Sequence, residues 1–265
     1  MITKIETKSQ IPSEKIIKNI SHGVFIIDEE QKKFPLQDVL QNKLQRIGKK
    51  INDLKKTPIV TELPGGGIIC WVMASVNINL FQCHSLLRKS LELIINEKPV
   101  AISILCQVEA INSKLWGEAA VYVTLLNSQS LPLYKKDNKH VPLKKLTFYG
   151  ADRLIDLKTI SAAVVGNTLT RALTIMPPNE LTPSIYRGKI KKLAKQNKWK
   201  LDEYSMSKLK KMGAGAFFSV GQGSEPQDAA IVHLRYEPKG ATQSIALVGK
   251  GICFDTGGHN LKPAK

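Results

Sequence analysis

Residues 245–265, which read IALVGKGICFDTGGHNLKPAK, form the most informative stretch of the chain. The stretch opens with an apolar run that predicts a short buried strand over 244–248, and glycines follow it. Lys250, Asp255 and Lys262 lie close together just after this run. Buried charge is unfavourable unless it is paired or binds something. One interpretation makes Lys250 and Asp255 a structural ion pair; the other makes both of them metal ligands, with Lys262 an electrophile facing the same cavity.

Three blocks of the sequence carry a family resemblance. The segment VGKGICFDTGGHNLKPA at 248–264 resembles the signature of the leucyl aminopeptidase (cytosol aminopeptidase) family of two-metal exopeptidases. Upstream, NTLTRALTIMPPNELTPSIY at 167–186 and MGAGAFFSVGQGSEP at 212–226 resemble further blocks of the family, in the expected order. The resemblance implies that Lys250 and Asp255 are metal ligands and that Lys262 is a catalytic lysine. His259 and Asn260 depart from the usual pattern, but neither assignment depends on them.

The resemblance also implies a reaction and an assembly. The family removes N-terminal residues, often leucine, from peptides with two Mn²⁺ or Zn²⁺ ions, and its members form hexamers. Its remaining carboxylate ligands and an arginine lie further downstream, so we expect the chain as given to stop within the catalytic domain. The site would then be incomplete, with weak or absent metal binding, and this chain could lack the family's activity.

The residue types of the three assigned positions suit this chemistry. Two divalent ions can activate a water molecule and polarise a carbonyl group. Such ions need hard oxygen ligands, which Asp255 would supply, whereas a lysine can ligate only as the neutral amine that desolvation and nearby cations favour. Lys262, if protonated, would face the developing oxyanion.

Composition limits the class of protein. The chain has 265 residues, 43% of them hydrophobic, so it can bury a sizeable core. We find neither a signal-peptide pattern in residues 1–15 nor a run long enough to span a bilayer, which predicts a cytoplasmic protein without membrane association. The four cysteines show no CxxC spacing, so we expect free thiols, and we interpret Cys253 as a structural thiol rather than a nucleophile.

The formal net charge of +17 is the unusual feature of the composition. A basic surface of this kind supports salt-sensitive binding of nucleic acid. The basic runs lack interleaved aromatic residues and any zinc-finger, RRM or basic-zipper pattern, which favours a solvated surface instead. A catalytically dead remnant that binds nucleic acid or a protein partner remains the alternative function. The lysines concentrate at 49–56, 135–145, 189–200 and 208–211.

The alternation of strand and helix patterns predicts an α/β fold. We expect an N-terminal α/β domain with a mixed sheet (1–150), a long interdomain helix (151–176) that Pro177 ends, and the first part of an α/β metallopeptidase domain (177–265). His84 lies on the apolar stripe of its helix and is expected to be a core histidine. Strands are predicted at 23–28, 59–63, 67–74, 100–105, 144–149, 199–204, 229–236 and 244–248. Helices are predicted at 36–47, 79–96, 113–127, 152–176 and 205–212, and one is predicted to begin at Thr182-Pro183.

Overall fold

The computed structural model describes residues 3–132, 141–150 and 155–254, apart from the side chains of 110–112. The chain divides into two compact units, residues 1–172 and 173–265. The division falls inside the helix predicted to connect the two domains. No helix within the described ranges is long and apolar enough to cross a membrane.

The first unit is built on a six-stranded sheet, and the prediction that this sheet is mixed is confirmed. The strand order is β1-β6-β5-β2-β4-β3, and every neighbouring pair is parallel except β3 and β4. The strands are β1 (Lys4–Lys8), β2 (His22–Asp28), β3 (Ile59–Glu62), β4 (Ile68–Ala74), β5 (Ala101–Gln107) and β6 (Lys145–Tyr149).

Helices cover both faces of this sheet. Side chains alternate across a strand, so on β2 Val24 and Ile26 enter one core while Phe25 and Ile27 enter the other. The first core includes residues of α3, α4 and α5, and the second includes residues of α1 and α2. Burial on both faces explains why the central strands are continuous apolar runs. The helices are α1 (Glu14–Ile17), α2 (Gln37–Arg46), α3 (Leu80–Ile95), α4 (Ala110–Asn127) and α5 (Leu157–Thr174), with a 3₁₀ turn at Ile51–Lys55.

The triple glycine joins β3 to β4, and the backbone explains each glycine. Gly66 has a φ of +80°, which favours glycine. A Cβ atom at Gly65 would lie 2.4 Å from the Lys18 carbonyl oxygen, and one at Gly67 would lie 1.9 Å from that of Ile20. This tight turn therefore requires all three glycines.

His84 behaves as the core histidine that its position predicted. Its ring stacks on Tyr122 with the ring centroids 5.1 Å apart, and burial lowers the pKa of its imidazole. Its helix, α3, begins at the expected place because Asn79 accepts a hydrogen bond from the backbone N–H of Gln82.

The second unit contains three helices and a two-stranded antiparallel sheet in its described part. These are α6 (Pro183–Asn197), β7 (Lys200–Ser205), α7 (Met206–Lys211), α8 (Gly215–Gly221) and β8 (Ala230–Arg235). α6 begins as predicted, with the Thr182 hydroxyl accepting a hydrogen bond from the Ile185 N–H and Pro183 at the first helical position.

The predicted strand at 244–248 is wrong. These residues are irregular, and the side chains of Leu247 and Val248 are 93% and 99% exposed. An apolar run becomes a buried strand only when it pairs with a neighbouring strand and another apolar surface packs against it. Within the described residues, β7 pairs with β8 and no strand pairs with 244–248.

Candidate metal and catalytic site

The structure describes one of the three residues to which the sequence assigns chemistry. Lys250 lies in the irregular segment 241–254, and its side chain is exposed. Its expected position at the end of a buried strand is therefore wrong, because that strand is absent. A lysine binds a metal as the neutral amine, which burial favours. The described residues instead leave the Lys250 side chain in solvent. Asp255 and Lys262 lie outside the described residues, as do His259 and Asn260.

The segment immediately before Asp255 lies beside the start of α6. A Cβ atom at Gly251 would lie 3.5 Å from the Tyr186 ring. Two residues later, the Cys253 thiol lies 3.9 Å from the Gly251 carbonyl oxygen. Burial, and secondarily the negative charge of Asp228, raise the pKa of this thiol. Because the thiolate is the nucleophilic form, a raised pKa agrees with a structural thiol.

Asp228 organises this part of the unit. Its Oδ2 accepts a hydrogen bond from the Ser184 N–H (2.8 Å), which satisfies a free donor in the first turn of α6. Its carbonyl oxygen accepts a hydrogen bond from Arg187 Nη1 (2.5 Å). The sequence analysis did not assign this role to Asp228. The predicted helix start at Thr182-Pro183 could have indicated this role, because the free N–H groups of the first helical turn require acceptors.

Among the ion-paired carboxylates that the structure describes in this unit, Glu203 is the most buried, with a side chain that is 16% exposed. It pairs with Arg187 and, at 3.1 Å, with Lys191, both on α6. Burial by itself would raise the pKa of this carboxyl, but the hydrogen bonds from the two bases outweigh it and hold the pKa below the usual range. Glu203 therefore fastens α6 to β7.

The other acids of the sheet are also engaged in ion pairs. Asp202 pairs with Arg235 at 3.0 Å across β7 and β8. Glu237 pairs with Lys200, whose hydrogen bond lowers the pKa of that carboxyl. These ion pairs link β7 to β8 and to the residues that follow β8.

The described residues do not by themselves fit a two-metal centre. Within residues 3–132, 141–150 and 155–254, no three His, Cys, Asp or Glu side chains come together as a possible metal site. With Lys250 exposed and Asp255 outside the described ranges, the structure supplies no geometry for a metal-dependent step, and we derive none.

Comparison with known proteins shows which family the segment around Lys250, Asp255 and Lys262 resembles. Residues 168–265 match the sequence profile described as "Cytosol aminopeptidase family, catalytic domain". The chain resembles a cytosol aminopeptidase. Among curated proteins, the probable cytosol aminopeptidase of Koribacter versatilis is 41% identical over 139 residues, which cover 49% of this chain and 27% of that protein. The one of Stutzerimonas stutzeri is 45% identical over 105 residues, covering 39% of this chain and 21% of its own length.

Solved structures share the fold. A mutant tomato leucine aminopeptidase superposes with a TM-score of 0.74 at 19% identity, covering 97% of this chain and 55% of that protein. The bottromycin maturation enzyme BotP in complex with Mn gives a TM-score of 0.60 at 16% identity, covering 83% of this chain and 46% of BotP. The expected α/β fold is thereby confirmed. The matched part of the chain spans about a quarter of the length of the first curated relatives and about half of the solved structures.

Proposed function

We propose that this chain is a metal-dependent aminopeptidase, a hydrolase that removes N-terminal residues from peptides. The observation that carries the proposal is the match of residues 168–265 to the catalytic domain of the cytosol aminopeptidase family, a segment that contains Lys250, Asp255 and Lys262. Curated relatives that are 41% and 42% identical over 139 and 109 residues are described as probable cytosol aminopeptidases.

We assign roles to these three residues through the resemblance. Lys250, as the neutral amine, and Asp255, as a hard oxygen ligand, would hold Mn²⁺ or Zn²⁺, and bound metal supplies an activated water and a polarised carbonyl group. Lys262 would present its ammonium group to the oxyanion that forms on the substrate carbonyl. The fold neighbour BotP was solved in complex with Mn, which makes Mn²⁺ the first metal to test.

Turnover of leucyl-p-nitroanilide by the purified 265-residue chain tests the activity. We expect release of p-nitroaniline that depends on Mn²⁺, is lost in Lys262→Ala and is kept in the matched control Lys265→Ala. A folded sample without turnover over the whole Mn²⁺ range would contradict the proposal.

Calorimetric titration with Mn²⁺ tests the metal ligands separately from turnover. We expect weak binding that Lys250→Met abolishes, because methionine removes the amine while keeping an unbranched side chain. The matched control Lys239→Met changes an exposed lysine of the same unit and should leave the titration unchanged. Two tight sites in the unmodified chain would contradict the assigned ligand set.

The location, substrates and oligomeric state of the protein are also proposed from the resemblance. We infer a cytoplasmic location, in agreement with the name of the relatives and with four cysteines that are all free. We further propose peptides as substrates and a homo-oligomer, a hexamer by the family pattern. Sedimentation of the purified chain as a monomer at micromolar concentration would exclude the hexamer.

A further inference from the structure

The start of α6 lies against the backbone that follows Lys250. A Cβ atom built on Gly251 would lie 3.5 Å from Cε1 of the Tyr186 ring, which is an ordinary van der Waals distance. Exposure along the irregular segment falls where the chain reaches this ring, from 99% at Val248 to 46% at Ile252. The Tyr186 ring therefore supports the backbone directly after the first of the two assigned ligands.

Hydrogen bonds hold the first turn of α6 in place around this ring. The Tyr186 N–H donates to the Thr182 carbonyl oxygen at 2.9 Å. Asp228 accepts a hydrogen bond from the Ser184 N–H through its side chain, and its carbonyl oxygen accepts one from Arg187. Because these bonds fix the backbone on both sides of Tyr186, the ring is a surface of defined position against which the irregular segment packs.

An irregular segment needs such support if its side chains are to act together. Lys250 and Asp255 are five residues apart in the sequence, and no regular strand fixes the backbone described between them. Ordering each of these residues costs conformational entropy, and a surface that packs against the segment beforehand reduces this cost. A displacement of about 1 Å at a reacting group can lower the rate by about 100-fold, so the support bears on turnover.

A purely structural role for Tyr186 predicts a different pattern of effects. If the ring only stabilised α6, its removal would change activity through the fraction of folded protein alone. A ring that positions the segment instead affects the turnover number of the folded protein and the local exposure of the segment. Cys253 lies in this segment and is partly buried, so its reactivity measures that exposure without any metal or substrate.

We propose that Tyr186 is a positioning residue of the peptidase site, whose ring holds the backbone between Lys250 and Asp255 in its working position. The inference rests on the proposed aminopeptidase function, and it adds a residue to which the family resemblance assigned no role. The contact is made by a ring atom, so Tyr186→Phe keeps it and Tyr186→Ala removes it.

Two measurements on the 265-residue chain test the proposal, with the folding of each variant checked by circular dichroism. The first is the rate at which iodoacetamide labels Cys253 in metal-free buffer, followed by mass spectrometry. Local opening of the segment should make Tyr186→Ala react at least about threefold faster than the unmodified chain. The second is turnover of leucyl-p-nitroanilide at a Mn²⁺ concentration that saturates the unmodified chain. Tyr186→Ala should lose at least about tenfold in kcat and change KM by less than about threefold.

Three further variants serve as controls. The conservative variant Tyr186→Phe should restore both values to within about twofold of the unmodified chain, because it restores the ring. Tyr236→Ala removes the same side chain from a site of the same unit that is 71% exposed, and it should change both values by less than about twofold. If Tyr186→Ala does not fold, Tyr186→Leu takes its place, since leucine keeps apolar bulk on the helix and loses the flat ring; changes in the same directions are expected.

Four results would overturn the proposal. Unchanged labelling of Cys253 in Tyr186→Ala would show that the ring does not hold the segment, whatever the activity. Faster labelling with unchanged kcat would make the contact a structural one. An equal loss of kcat in Tyr186→Phe would assign the effect to the hydroxyl group. Absence of turnover in the unmodified chain would overturn the proposed function and the positioning role together, and the labelling rates would then show separately whether the ring packs against the segment.

Discussion

Gly67→Ala offers a sharp test of the architecture of the first unit. Gly67 directly precedes β4, where the chain passes against the loop that precedes β2. A Cβ atom at this position would lie 1.9 Å from the Ile20 carbonyl oxygen and 2.6 Å from that of Ser21. Both are backbone atoms, so no side-chain rotation relieves the clash, and the two segments must separate by more than an ångström.

The expected cost follows from the hydrogen bonds that this separation breaks. The Ile68 N–H donates to the Ser21 carbonyl oxygen at 2.8 Å, and the Gly65 N–H donates to that of Lys18 at 3.1 Å. Because Ser21 and Gly65 are exposed and Lys18 and Ile68 are partly exposed, losing each hydrogen bond costs about 0.5–1.5 kcal/mol. Two such losses predict about 1–3 kcal/mol, a substantial share of the about 5–15 kcal/mol that typically stabilises a domain.

Urea unfolding followed by tryptophan fluorescence measures this cost. Trp71 in β4 is fully buried and stacks on Phe25 with the ring centroids 4.9 Å apart, so it reports on the affected sheet. The matched control is Gly48→Ala, where φ is +63° but a Cβ atom would meet nothing within 4 Å, so only a backbone cost of about 1 kcal/mol is expected. If Gly67→Ala cost no more than Gly48→Ala, the close approach between the β3–β4 turn and residues 18–21 would be refuted.

Four further predictions concern other parts of the chain. Arg187→Met should destabilise the second unit by about 3 kcal/mol in urea, since it leaves the largely buried Glu203 with Lys191 alone, whereas Lys189→Met should change stability by less than about 0.5 kcal/mol. The pKa of Glu203 is lowered on folding, so its contribution to the free energy of unfolding should be complete above its ordinary pKa of 4.5 and be lost as pH falls through the folded-state pKa. If Glu203→Gln lost as much stability on acidification as the unmodified chain, this prediction would be contradicted. Lys98→Gly should stabilise the first unit by about 1 kcal/mol because Lys98 has a φ of +54°, while Lys98→Ala, which keeps a Cβ, should give no gain. Iodoacetamide should modify Cys253 first in the native protein, because the other three cysteines are buried and burial raises the pKa values of Cys83 and Cys106 to about 12. Mass spectrometry that showed another cysteine labelled first would contradict this prediction.

The sequence predicted the first unit well because its local signals agree with its tertiary structure. β2 and β4 are apolar runs bounded by turn residues, and α3 has both a helical stripe and an Asn79 cap. β1 was missed because KIETK is a short charged segment, and those properties belong to an edge strand. Its Glu6 pairs with Lys145 of β6, with Lys4 as a second partner, and these bonds lower the pKa of that carboxyl to about 2.

The candidate site shows where local signals stop being sufficient. An apolar run such as 244–248 specifies burial, but it does not specify which surface buries it, and in the structure these residues remain exposed. The predicted position of Lys250 depended on that strand, so the predicted burial of its side chain was wrong as well. The assignments of Lys250, Asp255 and Lys262 come from a linear signature, and they remain predictions that mutagenesis must test.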